Sequence, residues 1–355
     1  MSVLITGGAG YIGSHTAWDF IDRGESVIVM DNLVTGFDWA MPPEAEFVLG
    51  NIGDRALVEY TLRHYEVDTI VHFAGSVVVP ESIEKPLKYY DNNTGNTRHL
   101  LESAVRCGVE QFIFSSTAAV YRAPQSFESV DEMAALEPAS PYGMSKLMSE
   151  MMIRDVATAH DMRHVILRYF NVAGADPNGR TGLSTRGATH VMKLACETAT
   201  GKRDHFDVYG TDYDTPDGSA IRDFIHVTDL ATAHFDAMDF LRNGGESFIG
   251  NVGYGQGHSV LDIIAAVKRV SGNDFNVRHR PRRTGDIAAM VADSSHIQHR
   301  LGWSPVYTDI DQIVEHALSW EEKLLSLDPQ GHQQASLAPD LDNLMDKITQ
   351  QQPSS

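Results

Sequence analysis

Short apolar runs ending in polar or glycine-rich turns recur through the first 175 residues: SVLIT (2–6), SVIVMD (26–31), EFVLG (46–50), DTIVHFAG (68–75), EQFIFSS (110–116) and RHVILRYFN (163–171). Most are nearly continuous in apolar residues rather than alternating, as strands covered on both faces are. Between them lie YIGSHTAWDFIDRG, RALVEYTLRHYE, EKPLKYYDNNTGNTRHLLESAVRCG and PYGMSKLMSEMMIRDVATAHD, each long enough for a helix and most closed by Gly or Asp. Strict alternation of strand and helix predicts an α/β fold, a parallel sheet with helices on both sides.

Beyond residue 175 the pattern loosens. Two long polar loops, 175–187 and 210–223, are of the kind that carries ligand contacts. Helices are predicted over 188–201, 228–242, 258–271 and 309–326. The organisation expected is a sheet-forming unit over 1–175, rejoined by a segment of about 221–253, a smaller α/β unit over 176–326, and a mobile tail over 327–355 rich in Gln, Pro and Ser. No internal repeat is visible.

A chain of 355 residues with 42% hydrophobic residues can bury a large core or two smaller ones. With 28 basic against 48 acidic residues the formal charge is -20, which repels nucleic acid and anionic membrane surfaces. Neither is expected as a partner, and a phosphorylated ligand must be held by local groups. Only Cys107 and Cys196 are present, both in helical patterns, which argues for a reducing compartment. No apolar run approaches the roughly 20 residues that cross a bilayer, and no basic-then-apolar leader precedes VLITGG. A cytoplasmic protein is expected.

LITGGAGYIGSH closes the first strand and opens the first helix, with glycines at 7, 8, 10 and 13. Glycine there lets the backbone turn sharply and approach a pyrophosphate, whose charge meets the exposed amides and the positive end of the helix. The pattern alone also fits a plain strand-to-helix turn; Asp31, at the end of the second strand, tips the balance. A carboxylate there accepts hydrogen bonds from a ribose diol and repels a 2′-phosphate, and DNLVTG offers no arginine to offset it, so NAD is expected rather than NADP.

SPYGMSK (140–146) places Tyr142 and Lys146 one turn apart, about 6 Å along a helix that opens on Pro141. Y-x-x-x-K by itself is weak, since about one chance match is expected in a chain this long. The pair has chemical sense only in a partly dry cleft. A phenol must fall by roughly 3 pH units to act as a base near neutrality, and a cation ~4 Å away supplies ~4 kcal/mol there against ~1 in water. FIFSSTAAVY adds Thr117 at a strand end, positioned to hydrogen-bond a substrate oxygen, although a hydroxyl at a turn is the plainer reading in isolation. His72, in an apolar strand, reads as a satisfied core histidine. HIQH (296–299) lacks the helix and acidic partner of a zinc motif, and no metal site is expected.

Taken together, GGAGYIGSH, MDNL, HFAG, PESIEKPLKYYDNN, FIFSSTAAVY, SPYGMSK, LRYFNVAGADP, VYGTDYDTPDGSAIRDFIHVTDLA, NVGYGQGHSV and PRRTGD resemble the extended short-chain dehydrogenase/reductase family over about residues 2–325. The similarity is greatest to its members that invert C4 of UDP-hexoses. It implies a Rossmann-type doubly wound parallel sheet with a smaller C-terminal substrate domain, a tightly held NAD, a UDP-sugar substrate and a 4-keto intermediate. Carried over position by position, Tyr142 would remove the 4-hydroxyl proton, Lys146 would lower its pKa and hold the nicotinamide ribose, and Thr117 would complete the catalytic set. Cofactor contacts fall on Gly7, Gly10, Tyr11, Ile12, Gly13, Asp31, Asn32, Asn51, Ile52, Phe73, Ala74, Gly75, Asn92, Ser115, Tyr142, Lys146 and Tyr169. Substrate contacts fall on Thr117, Tyr142, Asn171, His190, Val191, Val208, Tyr209, Arg222, Arg283 and Asp286; Tyr209 would meet uracil, Arg222 and Arg283 the phosphates, and Asp286 the uridine ribose.

The chain departs from that pattern in places. Asn51 stands for the usual aspartate, Val77 for a basic residue of some relatives, and His190 lies in a stretch that replaces an asparagine. Ala118 and Ala119 occupy the positions where dehydrating relatives place an acid and a base, so elimination is unsupported. Met290 lies where side-chain bulk near the sugar varies, leaving N-acetylated sugars open, and an NAD-dependent epimerase of pentose, uronate or N-acetylhexosamine derivatives is the alternative within the fold. A homodimer built on the 86–107 helix and the KLMSEMMIRDVATAHDM segment (146–162) is a further implication of the resemblance. A catalytically idle NAD-binding protein is the alternative from another class.

Overall fold

A computed structural model describes residues 2–124, 129–185, 187–283 and 286–327. The expected tail lies, but for its first residue, outside them. The strands are β1 (Ser2–Thr6), β2 (Val27–Asp31), β3 (Glu46–Leu49), β4 (Val67–His72), β5 (Gln111–Thr117), β6 (Arg163–Tyr169), β7 (Asn171–Ala173), β8 (Phe206–Tyr209), β9 (Ile221–His226), β10 (Phe248–Val252), β11 (Gly257–Ser259), β12 (Val277–Arg280) and β13 (Ala289–Met290). The helices are α1 (Tyr11–Asp22), α2 (Arg55–His64), α3 (Val79–Glu84), α4 (Pro86–Tyr89), α5 (Asn96–Cys107), α6 (Pro141–His160), α7 (Val191–Ala199), α8 (Val227–Arg242), α9 (Val260–Ser271), α10 (Ser295–Leu301) and α11 (Ile310–Leu327).

Seven strands form one sheet in the order β10-β6-β5-β4-β1-β2-β3, every pairing parallel. The continuous apolar runs explain it: β1, β2 and β5 are buried at every residue, and only a sheet sandwiched between helices buries both faces of a strand. Val3, Ile5, Val29 and Ile113 face one apolar cluster with Phe20 of α1 and Leu230, Ala237 and Leu241 of α8. Leu4, Ile28, Ile70 and Phe112 face the other, with Val58 of α2, Leu100 of α5 and Ile153 of α6. A third cluster gathers α7, α9 and α11 over β8 and β9. Strand order reverses between β1 and β4, and the loops at their carboxyl ends meet in the crevice where such sheets bind ligands.

Local signals set the helix ends. The Ser140 hydroxyl accepts from the Gly143 amide at 3.2 Å with Pro141 in the first turn, so α6 starts where the sequence places it. Gly108, at φ 73°, closes α5. Three expectations change. The 163–171 run divides at Phe170: β6 stays in the large sheet, whereas β7 leaves it to pair with β9. The 86–107 helix contains a π-helical stretch, Tyr90–Gly95, between α4 and α5, and such widened turns concentrate at functional sites. Residues 296–299 are helical after all, within α10, although no group of metal-ligating side chains occurs among the described residues.

Candidate active site

Gly7 turns at φ 71°, and a Cβ there would lie 2.6 Å from the Ala74 amide nitrogen, so the loop after β1 packs directly on the loop after β4. A Cβ on Gly13 would lie 2.3 Å from the Gly7 carbonyl oxygen. Side chains are thus excluded where the helix amides face outward, and the cradle fits a pyrophosphate. Asp31 is buried, its carboxylate accepting from the amides of Ala9 at 3.1 Å and Leu33 at 2.8 Å. Burial raises its pKa, and those amide hydrogen bonds oppose the rise. Asn32 and Asn51 fold back on their own turns, accepting from Val34 and Gly53. Ile12, Ile52, Phe73 and Ala74 contribute to the two apolar faces of the sheet, and the Tyr11 hydroxyl donates to the Gly174 carbonyl at 2.7 Å.

Thr117, Tyr142 and Lys146 are all buried at the end of β5 and the start of α6. The Lys146 Nζ donates to the Ser115 carbonyl at 2.9 Å and lies 4.8 Å from the centre of the Phe114 ring. Burial pulls its pKa down to about 8, with Glu150 acting in the opposite direction. A Cβ on Gly75 would sit 3.8 Å from that Nζ, which places the β4 loop over the lysine. Thr117 Oγ1 accepts from the Ala119 amide at 3.1 Å.

Burial raises the Tyr142 pKa, and a hydrogen bond with Thr117 pulls it down. The ammonium is directed at the Ser115 carbonyl rather than the phenol. A further positive charge in the cleft would act in the same direction as the Thr117 hydrogen bond.

Two supporting residues have no signature in the sequence reading. Asn93, on the π-helical turn and almost fully buried, accepts from the Ser76 amide at 2.7 Å and donates to the Ser76 carbonyl and the Ser145 hydroxyl, both at 3.0 Å. It ties the β4 loop to α6, and Asn92 beside it donates to the Ser76 hydroxyl at 3.0 Å. His234 of α8 lies 3.3 Å from Ser115 Oγ, which donates to the Tyr169 hydroxyl at 3.2 Å. The doubled asparagine in YYDNN was the only available hint. His72 is satisfied on both ring nitrogens, by Thr6 at 2.7 Å and Thr97 at 2.9 Å.

The substrate positions divide. Arg222 and Asp286 are joined at 2.6 Å, and Arg222 is partly buried rather than the exposed surface ion pair that excess acid favours. Burial lowers its pKa against the raising influence of Asp286. Arg283 stacks on the Tyr209 ring, 3.9 Å from its centre. Asn171 is half-buried at the start of β7, Val191 is half-buried at the start of α7 against the third apolar cluster, and His190 is exposed just before α7. The Val208 side chain is instead enclosed in the third apolar cluster, because β8 turns that residue inward, and the residue as a whole is almost fully buried.

A model of the NAD dependent epimerase/dehydratase family matches residues 3–253. The UDP-glucose 4-epimerase of Azospirillum brasilense is 50% identical over 322 residues, 91% of this chain and 92% of that protein. The structure of the UDP-Glc/GlcNAc 4-epimerase of Campylobacter jejuni superposes with a TM-score of 0.80 at 46% identity, covering 91% of this chain and 99% of that one. That of the Bifidobacterium longum UDP-glucose 4-epimerase in complex with NAD+ and UDP gives 0.85 at 36% identity, covering 91% and 98%.

Proposed function

This chain belongs to the NAD dependent epimerase/dehydratase family, and we propose that it interconverts UDP-glucose and UDP-galactose by reversible oxidation at C4 of the hexose. The observation that carries the reading is the buried Thr117–Tyr142–Lys146 set beside a cradle that only glycine permits. When bound, NAD supplies the hydride acceptor and donor and places a positively charged ring in the cleft.

The protein's own part is binding, orientation and proton transfer. The Gly7–Gly13 loop and α1 amides hold the pyrophosphate, Asp31 the adenosine ribose, and Lys146 the nicotinamide ribose. Thr117 hydrogen-bonds the 4-hydroxyl, and Tyr142 accepts its proton as the 4-keto sugar forms and returns it as the opposite configuration is made. Arg222 and Arg283 neutralise the diphosphate, Asp286 accepts from the uridine ribose and Tyr209 packs on uracil, which requires the Arg222–Asp286 bridge and the Arg283–Tyr209 stack to open toward the ligand. The side chains of Ala118 and Ala119 hold no acid or base, so the reaction stops at epimerisation rather than proceeding to loss of water.

The N-acetylated sugar is a second substrate favoured by the Campylobacter jejuni relative, whose name covers both UDP-Glc and GlcNAc; Met290, buried on β13 beside Arg222, would set the room for the acetyl group. Incubation of the purified protein with UDP-galactose and no added cofactor is expected to yield UDP-glucose. Absence of conversion with NAD shown to be bound would end the proposal.

We also read the protein as a cytoplasmic homodimer. Leu87 of α4 is 79% exposed, and Met148 and Met151 of α6 are 40% and 50% exposed, apolar positions that a two-fold helix pairing would cover. Sedimentation velocity is expected to give twice the chain mass, with Met148→Lys and Met151→Lys together shifting it to the monomer; a single-chain mass for the parent protein would refute the pairing.

A further inference from the structure

We propose that Glu150 is a positioning residue that keeps the Lys146 ammonium charged, with Ser116 and Arg168 holding its carboxylate in place one turn behind the lysine. The inference rests on the roles of Tyr142 and Lys146 given above and adds the group that makes a buried cation persist there.

Glu150 follows Lys146 by four residues on α6, so both lie on one face of the helix. Its side chain is 2% exposed, as is that of Arg168 on β6, and the two meet as a fork: Nη2 to Oε2 at 2.6 Å and Nε to Oε1 at 3.1 Å. The Ser116 hydroxyl donates to the same carboxylate. Ser116 stands between Ser115, whose carbonyl receives the Lys146 ammonium, and Thr117. One carboxylate therefore clips β5 to α6 at the point where both carry catalytic groups. Arg168 is anchored in turn by donating to the Tyr121 hydroxyl at 3.1 Å, which donates to Asn251 on β10 at 2.6 Å.

The charges facing Lys146 leave few alternatives. On α6 they are Tyr142 and Glu150; on β4, His72, held neutral by burial and by the lysine itself; on β6, the Tyr169 phenol, whose pKa burial raises; and on α8, His234, which reaches Ser115 and is likewise kept neutral by burial. Asn93 on the π-helical turn is uncharged. No carboxylate among the described residues forms a salt bridge with Lys146; Glu150, four residues on along the same helix face and likewise buried, is the carboxylate that acts against the effect of burial on its ammonium. Arg168 faces Glu150 from its other side, and Tyr121 and the Glu132 backbone carbonyl in turn contact Arg168.

Glu150→Gln preserves an acceptor for Ser116 and Arg168 while removing the charge. In NAD-loaded protein converting UDP-galactose, the alkaline limb of kcat/KM is expected about one pH unit lower than in the parent, because Lys146 then loses its proton earlier. The double variant Glu150→Gln/Arg168→Gln leaves no unpaired buried guanidinium but also removes the opposing positive charge, so it is expected to move the limb in the same direction by a smaller amount, and it serves where the single variant does not fold. A pair that only braces the fold would lower Tm and leave the limb where the parent has it, and that result in either folded variant overturns the proposal. A parent protein that loads NAD yet converts nothing would instead overturn the reading of the site on which it rests.

Discussion

Replacing Tyr142 with Phe is expected to lower UDP-galactose conversion by about 10²- to 10⁴-fold while the purified protein retains its NAD. The ring is buried against Tyr89, 6.4 Å between centres, so Phe fills the same space and only the hydroxyl is lost. In the function proposed above NAD binding draws on the glycine cradle, Asp31 and Lys146, which Phe leaves in place. Parallel loss of bound NAD and activity, read from the absorbance of extracted cofactor, would mean that the phenol supports the fold rather than the chemistry. The same variant addresses why burial raises the Tyr142 pKa when a base is needed. Lys146 donates to the Ser115 carbonyl, and a cationic ring entering the cleft would act against the rise that burial causes.

The second large effect is expected from Gly13→Ala, which should yield protein with little or no bound NAD and a weaker affinity by at least about 100-fold. The added Cβ would lie 2.3 Å from the Gly7 carbonyl oxygen and 2.8 Å from Gly8 Cα. Both are backbone atoms held by β1 and the Ala74 loop, so no side-chain rotation relieves the clash and the first turn of α1 must move. Moving it disperses the amides that meet the pyrophosphate. Titration of apo protein with NAD, followed by fluorescence and thermal shift, measures this, and unchanged affinity would show that the cradle tolerates a side chain.

Much of this arrangement was legible one residue at a time. The apolar runs of β1, β2 and β5 announce strands buried on both faces, because a continuous apolar stretch is unstable with either side in water. The tight packing at Gly7 and Gly13 and the buried Asp31 carboxylate were legible because each satisfies a requirement local to its own turn. Tyr142 and Lys146 are legible as a pair because helical geometry alone puts them on one face.

What the chain by itself determined, then, was what depends on near neighbours: element type, capping, the turn chemistry of the phosphate loop and the spacing of the catalytic pair. Tertiary structure alone decided where each charge finds its counter-charge and how dry its surroundings are. The departure of β7 at Phe170, the inward turn of Val208, the Asn93 tie between the β4 loop and α6, and the meeting of Glu150 with Arg168 all join residues on separate elements. Coulombic and desolvation energies depend on distances through space, and these are fixed only when strands and helices far apart in sequence are packed together.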